Sequence, residues 1–203
     1  MRIVPIVPAS AACSDPPTTA TKGRGTRWAL AHRFNAWQRH AVEDAEPATD
    51  DASGCDAPQP ATQVREESVR SILAANDSPD IGFDLSVNPY RGCEHGCIYC
   101  YARPTHSWLS LSPGIDFETR IVAKVNAAQR LREAFMAVGY RPRMLNLGSA
   151  TDAYQPVERR LRITRDVITV LNEFQHAFSV ITKSSGVERD LDLIAPMSAR
   201  RLA

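Results

Sequence analysis

Between Asn88 and Arg103 the chain reads N-P-Y-R-G-C-E-H-G-C-I-Y-C-Y-A-R, and within it Cys93, Cys97 and Cys100 stand in C-x3-C-x2-C spacing. Three thiolates this close in sequence converge on one ion or cluster only if the backbone between them loops tightly. Gly92 and Gly96 allow that, because a residue without Cβ accepts positive φ at little steric cost. Soft thiolate ligands select zinc, copper(I) or iron–sulfur clusters over hard cations. Three cysteines, rather than four, leave one metal position without a protein ligand, and an open position is what chemistry at a metal requires.

Three readings of the loop compete. A structural zinc site is closed by four ligands; His95 or His106 could supply the fourth, but no second ligand pair follows at zinc-finger distance. A [4Fe–4S] cluster held at three corners keeps its fourth iron free to bind something, whereas bacterial ferredoxins add a fourth cysteine that this chain lacks downstream. The third reading is a set of buried cysteines that bind nothing.

With Tyr99 directly before the last cysteine, the loop resembles the signature of the radical S-adenosylmethionine superfamily. The wider phrase F-D-L-S-V-N-P-Y-R-G-C-E-H-G-C-I-Y-C-Y-A-R-P-T-H, from Phe83 to His106, resembles the branch related to spore photoproduct lyase, the DNA-repair photolyase-like proteins. The similarity runs from Lys22, in K-G-R-G, to Ala195, and weakens through the forties and fifties.

That resemblance implies a [4Fe–4S] cluster on Cys93, Cys97 and Cys100, with S-adenosyl-L-methionine chelating the open iron through its amino and carboxylate groups. It implies a radical enzyme in which reductive cleavage yields a 5′-deoxyadenosyl radical for hydrogen abstraction, fed by an electron donor such as flavodoxin or ferredoxin. The cofactor carries the hard chemistry while the protein positions and shields it. Ser149, Thr151 and Asp152 are then expected at the methionine amino group, where a carboxylate forms charge-assisted bonds to an ammonium; the plain reading is a turn, since Thr-Asp pairs favour turns. Lys183, in I-T-K-S, is expected at the cofactor carboxylate and is otherwise a solvated strand end. Tyr99 is expected against the adenine and is otherwise a core aromatic. His95 and His106 read better as surface or hydrogen-bonded histidines, and Arg91 and Arg103 as partners for cluster charge or a phosphate. No residue is assigned to the substrate chemistry.

Two alternatives stand beside this reading. One is a DNA photoproduct lyase-type repair enzyme with a nucleic-acid substrate, against which the net charge of +1 offers no basic face. The other is a non-catalytic metal-binding fragment that works with a complementing C-terminal half-barrel chain.

The elements that must position these residues are legible in part. Phe83, Leu85 and Val87 alternate with polar residues as a strand does, directly before the cysteine loop. N-D-S-P-D from Asn76 to Asp80 is a turn cluster, and Ser68 to Ala74 is helical or extended. Asp116 caps the best helix, in which Phe117, Ile121, Val125, Ala128, Leu131, Phe135 and Val138 recur at steps of three and four until Gly139 ends it. Met144 to Gly148 gives a second strand, and Thr164 caps a second helix carrying Val167, Ile168, Leu171 and Phe174. Ala177 to Thr182 gives a third strand with the apolar content of a buried parallel one, and a third helix starts at Asp190 and is cut short by Pro196. Strand, loop and helix repeat, so the fold class is α/β with a parallel sheet. The resemblance implies a partial (β/α) barrel with about three βα units, each of roughly 30 residues. The later strands of the family are missing, as in a truncated member with an unpaired edge.

Residues 1–62 read as a low-complexity extension and linker, mostly disordered, before a core at 63–203. Within the extension Trp28 to Val42 has the spacing of a short helix, and K-G-R-G-T-R from Lys22 reads as a solvated tail, although the resemblance raises packing against the barrel. The apolar run at the N-terminus is broken by Pro5 and Pro8 and is a poor signal peptide; no membrane span is expected. Of five cysteines, Cys13 and Cys55 remain outside the loop, which argues against a disulfide framework and for a reducing, cytoplasmic setting.

Overall fold

The computed structural model describes residues 25–26 and 61–203. The expectations of disorder before residue 61, of a helix at Trp28 to Val42, and for Cys13 and Cys55 lie outside the described residues. The chain is a mixed α/β structure with two open sheets. One has strand order β2-β3-β6-β7 (Leu73–Ala75, Leu85–Val87, Leu145–Leu147, Phe178–Val180) and the other β1-β5-β4 (Gln63–Glu67, Arg120–Lys124, Tyr90–Arg91).

In the four-stranded sheet β3, β6 and β7 are parallel neighbours in chain order, with β2 antiparallel at one edge and β7 at the other. Their register sorts the side chains by chemistry. Leu85, Leu145 and Phe178 align in one row and Val87, Leu147 and Val180 in another, whereas Ser86, Asn146 and Ser179 form the row between them. Because successive side chains alternate faces, the apolar rows share one face and the polar row takes the other. The polar row is satisfied internally, Asn146 Nδ2 donating to Ser179 Oγ at 3.0 Å. The apolar rows join one core with the helices α2 (Ala127–Met136) and α4 (Ile163–Glu173). Leu131, Val167, Ile168 and Leu171 are fully buried there, each worth about 1.5–3 kcal/mol relative to exposure. Helix α5 (Leu191–Ala199) packs beside α4 and adds Met197 to that core.

Several expectations are corrected. The helix from Asp116 to Val138 is not continuous: α1 (Ile115–Thr119) and α2 are separated by strand β5. The sequence R-I-V-A-K pairs parallel with β1 and antiparallel with β4, and these partners, remote in sequence, override the local helical period. The Asn126 side chain then closes the strand-to-helix turn, accepting from Val69 N–H and donating to Val69 O, both at 2.9 Å. Gly139 does take a positive φ of 85°, but α2 has already ended at Met136 with Ala137 extended.

Thr164 is not the cap of α4. It lies inside the helix, fully buried, its Oγ1 donating to Ala153 O at 2.5 Å. The capping carboxylate belongs to Glu158 in α3 (Glu158–Leu161), whose Oε2 accepts from Thr164 N–H at 3.0 Å. Pro196 sits within α5 without ending it. Ser68 to Ala74 resolves as extended only at its end, in β2.

Candidate metal and cofactor site

The cysteine loop starts where β3 and β4 end, and its shape is dictated by backbone. Gly92 and Gly96 have φ of 79° and 64°, left-handed values that side chains disfavour. A Cβ on Gly92 would stand 2.8 Å from Phe117 O. That close approach lets Cys93 N–H donate to the same Phe117 carbonyl at 2.8 Å.

The loop after β6 holds it from the other side. Thr151 Oγ1 donates to Gly92 O at 2.6 Å, and Gln155 Nε2 donates to Gly92 O at 3.3 Å and to Thr151 Oγ1 at 3.1 Å. The Gln155 carbonyl accepts from Glu94 N–H at 3.0 Å, while Glu94 Oε2 accepts from Val157 N–H at 2.9 Å. From below, Arg103 Nε donates to Cys97 O at 2.9 Å and its Nη2 pairs with Glu118 Oε1 at 2.5 Å. Arg103 therefore braces the loop backbone rather than offering its guanidinium to a phosphate.

These contacts frame a cavity of about 280 Å³ at the C-terminal ends of β3, β6 and β7. Cys93, Cys97 and Cys100 all line it, as do Tyr99, Ser149, Thr151, Asp152 and Lys183. Residues spread over more than eighty positions of sequence thus meet at one opening, with Asn146 of the polar strand row in its wall.

The three thiols are free. Cys93 is buried, and burial pushes its thiol up to about 11. A thiol so placed becomes a strong ligand when a cation replaces the water it lacks. Among the described residues no group of three or more His, Cys, Asp or Glu side chains is gathered tightly enough to hold a single metal ion. A zinc site brings all its donors within about 2.1–2.3 Å of one point, whereas cluster thiolates each bind a different iron and stand further apart. Three thiols lining one cavity are donors of the type that soft metals and iron–sulfur clusters take.

Asp152 ties the loop after β6 to the loop after β7. Its Oδ1 accepts from Tyr154 N–H at 2.8 Å and Thr182 Oγ1 at 2.7 Å, and its Oδ2 accepts from Lys183 N–H at 2.9 Å. His95 Nε2 lies 3.3 Å from Oδ2, close enough to pair when protonated although off the hydrogen-bonding direction. Burial raises this carboxyl, but the surrounding donors outweigh it and hold Asp152 at about 2. It is an anion at any physiological pH.

Lys183 Nζ approaches Cys97 Sγ at 3.0 Å, bonds the Tyr99 hydroxyl and lies 4.5 Å from the Tyr99 ring centroid. The hydroxyl and the sulfur raise its pKa, so it is a cation at the mouth of the cavity. Tyr99 itself is 77% exposed, which removes its core-aromatic reading. Ser149 Oγ accepts from Asn88 Nδ2 at 3.0 Å, and Asn88 Oδ1 accepts from Ala150 N–H at 2.7 Å. The Tyr101 hydroxyl donates to Ser149 O. His106 is turned away from the cavity: fully buried, its Nε2 is 2.9 Å from Arg120 O, so it is the hydrogen-bonded rather than the surface histidine.

Asn88, Glu94 and Glu118 were not singled out from the sequence. Asn88 and Gln155 each sit beside proline in N-P-Y and Y-Q-P, where the restricted backbone leaves an amide side chain to supply bonds that regular structure would otherwise make.

No family model matches the chain. It is similar to an uncharacterized protein of Mycobacterium tuberculosis, 42% identical over 113 residues that cover 56% of this chain and 33% of that protein; one from Mycobacterium bovis matches to the same extent. An uncharacterized protein of Methanocaldococcus jannaschii is 28% identical over 118 residues, 58% of this chain and 42% of that protein. The matched segment thus spans a third to two fifths of the length of these curated relatives. No solved structure matches.

Proposed function

We propose that this chain is a radical S-adenosylmethionine protein of the spore photoproduct lyase-like branch, with a [4Fe–4S] cluster on Cys93, Cys97 and Cys100. The observation that carries the reading is the single cavity shared by those thiols and by all five residues expected at the cofactor. When bound, the cluster and S-adenosylmethionine supply one-electron cleavage that makes a 5′-deoxyadenosyl radical.

This chain's residues have distinct tasks in that reading. Cys93 is the buried, fixed ligand, and Cys97 and Cys100 complete the set from the open side. Asp152 keeps the loops after β6 and β7 together and offers its remaining lone pairs to an ammonium. Lys183, a mobile cation on a flexible stem, leaves Cys97 to meet a carboxylate. Tyr99 and Tyr101 stand at the mouth, where an adenine can stack. The finer reading of the fold is a partial (β/α) barrel; its support is the run of parallel strands β3, β6 and β7 with site residues at their C-terminal ends.

A second reading, a metal-binding unit completed by a C-terminal half-barrel, draws on β7, which stands at the sheet edge beside the cavity. Anaerobic reconstitution with iron and sulfide tests both. The enzyme reading expects about four irons per chain, an electron-spin signal that shifts on adding S-adenosylmethionine, and 5′-deoxyadenosine after reduction. A cluster without that product favours the unit needing a partner, and zinc in place of iron sinks both the cluster and the radical chemistry. Cys93→Ala removes the cluster; undiminished iron in that variant refutes the ligand set.

A further inference from the structure

Gly25 lies far from the cysteines in sequence, yet its backbone meets their loop. Its N–H donates to Glu118 Oε2 at 2.8 Å. A Cβ on Gly25 would stand 1.5 Å from Gly96 O and 2.6 Å from the carbon of that carbonyl. Reciprocally, a Cβ on Gly96 would stand 2.9 Å from Glu118 Oε2 and 3.1 Å from Gly25 N. The two glycines face each other with no room for a methyl group on either.

Glu118 joins this contact to the ligand loop. Its side chain is fully buried, one oxygen accepting from Gly25 and the other paired with Arg103 at 2.5 Å. A buried carboxylate is costly unless its lone pairs are occupied, and an amide N–H supplies a charge-assisted bond. Arg103 in turn donates to Cys97 O. Gly25 therefore acts on the loop twice, by direct packing on Gly96 and through Glu118 and Arg103 on the carbonyl of Cys97.

We infer that the segment at Gly25 is a strap that sets the backbone at Gly96 and Cys97, which makes Gly25 a positioning residue for the Cys97 thiol. Cys93 is secured separately, by Phe117, so loosening the strap displaces one thiol relative to another rather than the whole set.

The test uses the full chain and the variant Gly25→Ala. Gly82→Ala is the control, because nothing lies within 4 Å of a Cβ there and its backbone is not left-handed. In the metal-free protein, iodoacetamide labelling followed by peptide mass mapping should show Cys97 alkylated several-fold faster in Gly25→Ala, with Cys93 and the control unchanged. An unchanged Cys97 rate overturns the strap. Hydrogen exchange on the unsubstituted chain gives a readout that needs no variant: the Gly25 amide is slowed well below free-peptide exchange, and a free-peptide rate overturns the proposal. A third readout rests on the cluster reading. Iron should be lost to a chelator about 10-fold faster from Gly25→Ala, the lower end of what outer-shell partners contribute, and equal rates count against the strap. If the unsubstituted chain takes up no iron, the cluster reading fails, and labelling and exchange still decide the strap.

Discussion

The two ends of the cysteine loop are held in opposite ways. Around Cys93 the chain is part of the interior: Cys93 packs with Ala102 and Phe117, its amide is bonded, and the preceding carbonyl accepts from both Thr151 and Gln155. Further along, Ile98, Tyr99 and Tyr101 stand outside at 72%, 77% and 79% exposure, while Cys100 between them stays half-buried against the Cys93 cluster. Yet the exposed end is not loose in its backbone, because Arg103 grips it from beneath at Cys97 O. The loop is thus fixed through its main chain and left open through its side chains. A ligand can be bound there without the loop first having to order, and ordering is the usual cost of binding on an exposed loop.

Arg103→Ala should break this arrangement most severely. It takes the Arg103 guanidinium away from the buried Glu118 carboxylate, a loss of about 3–5 kcal/mol for a pair broken on one side, measured by urea unfolding of the metal-free chain. Gly92→Ala attacks the buried end alone. A left-handed φ of 79° and the contact with Phe117 O predict a loss of about 1–3 kcal/mol, with labelling of Cys93 raised more than that of Cys97.

Asp152→Asn sharpens the comparison through pH. The native carboxyl sits at about 2 against an ordinary value of 3.8, so the stability it adds is complete above about pH 4 and drains as pH falls toward 2. The Asn variant should lack that part of the acid slope in a pH series of unfolding midpoints. Lys183→Met is the mildest change: the lysine is exposed, so the urea midpoint should stay in place while reagents reach Cys97 more readily.

The same contrast separates what the sequence made legible from what it did not. β3 was readable from its alternation of apolar and polar residues and β6 and β7 from short stretches rich in apolar residues, and Ser149, Thr151, Asp152 and Lys183, whose roles the resemblance implied, follow β6 and β7 directly. β5 was hidden. Phe117, Ile121, Val125 and Ala128 keep a helical step through it, and only pairing with Gln63–Glu67 and Tyr90–Arg91 makes it a strand. Thr164 looked like a cap because hydroxyls often are, but its N–H is met by a carboxylate six residues earlier. The braces beneath the site, Glu118 with Arg103 and Gly25 with Gly96, join positions fifteen or more residues apart, and nothing in local composition marks them.

The position of β7 has a practical side. Its outer edge carries no strand among the described residues, and Ile181, just beyond it, is 73% exposed. Phe178 N–H is already taken by Leu202 O at 2.8 Å, but the remainder of that edge, flanked by an apolar side chain, is a template on which another copy can pair, and at high concentration that route leads to oligomers and precipitate. Substituting Ile181 with lysine would place a gatekeeping charge there, and the variant should remain clear at concentrations where the parent turns turbid.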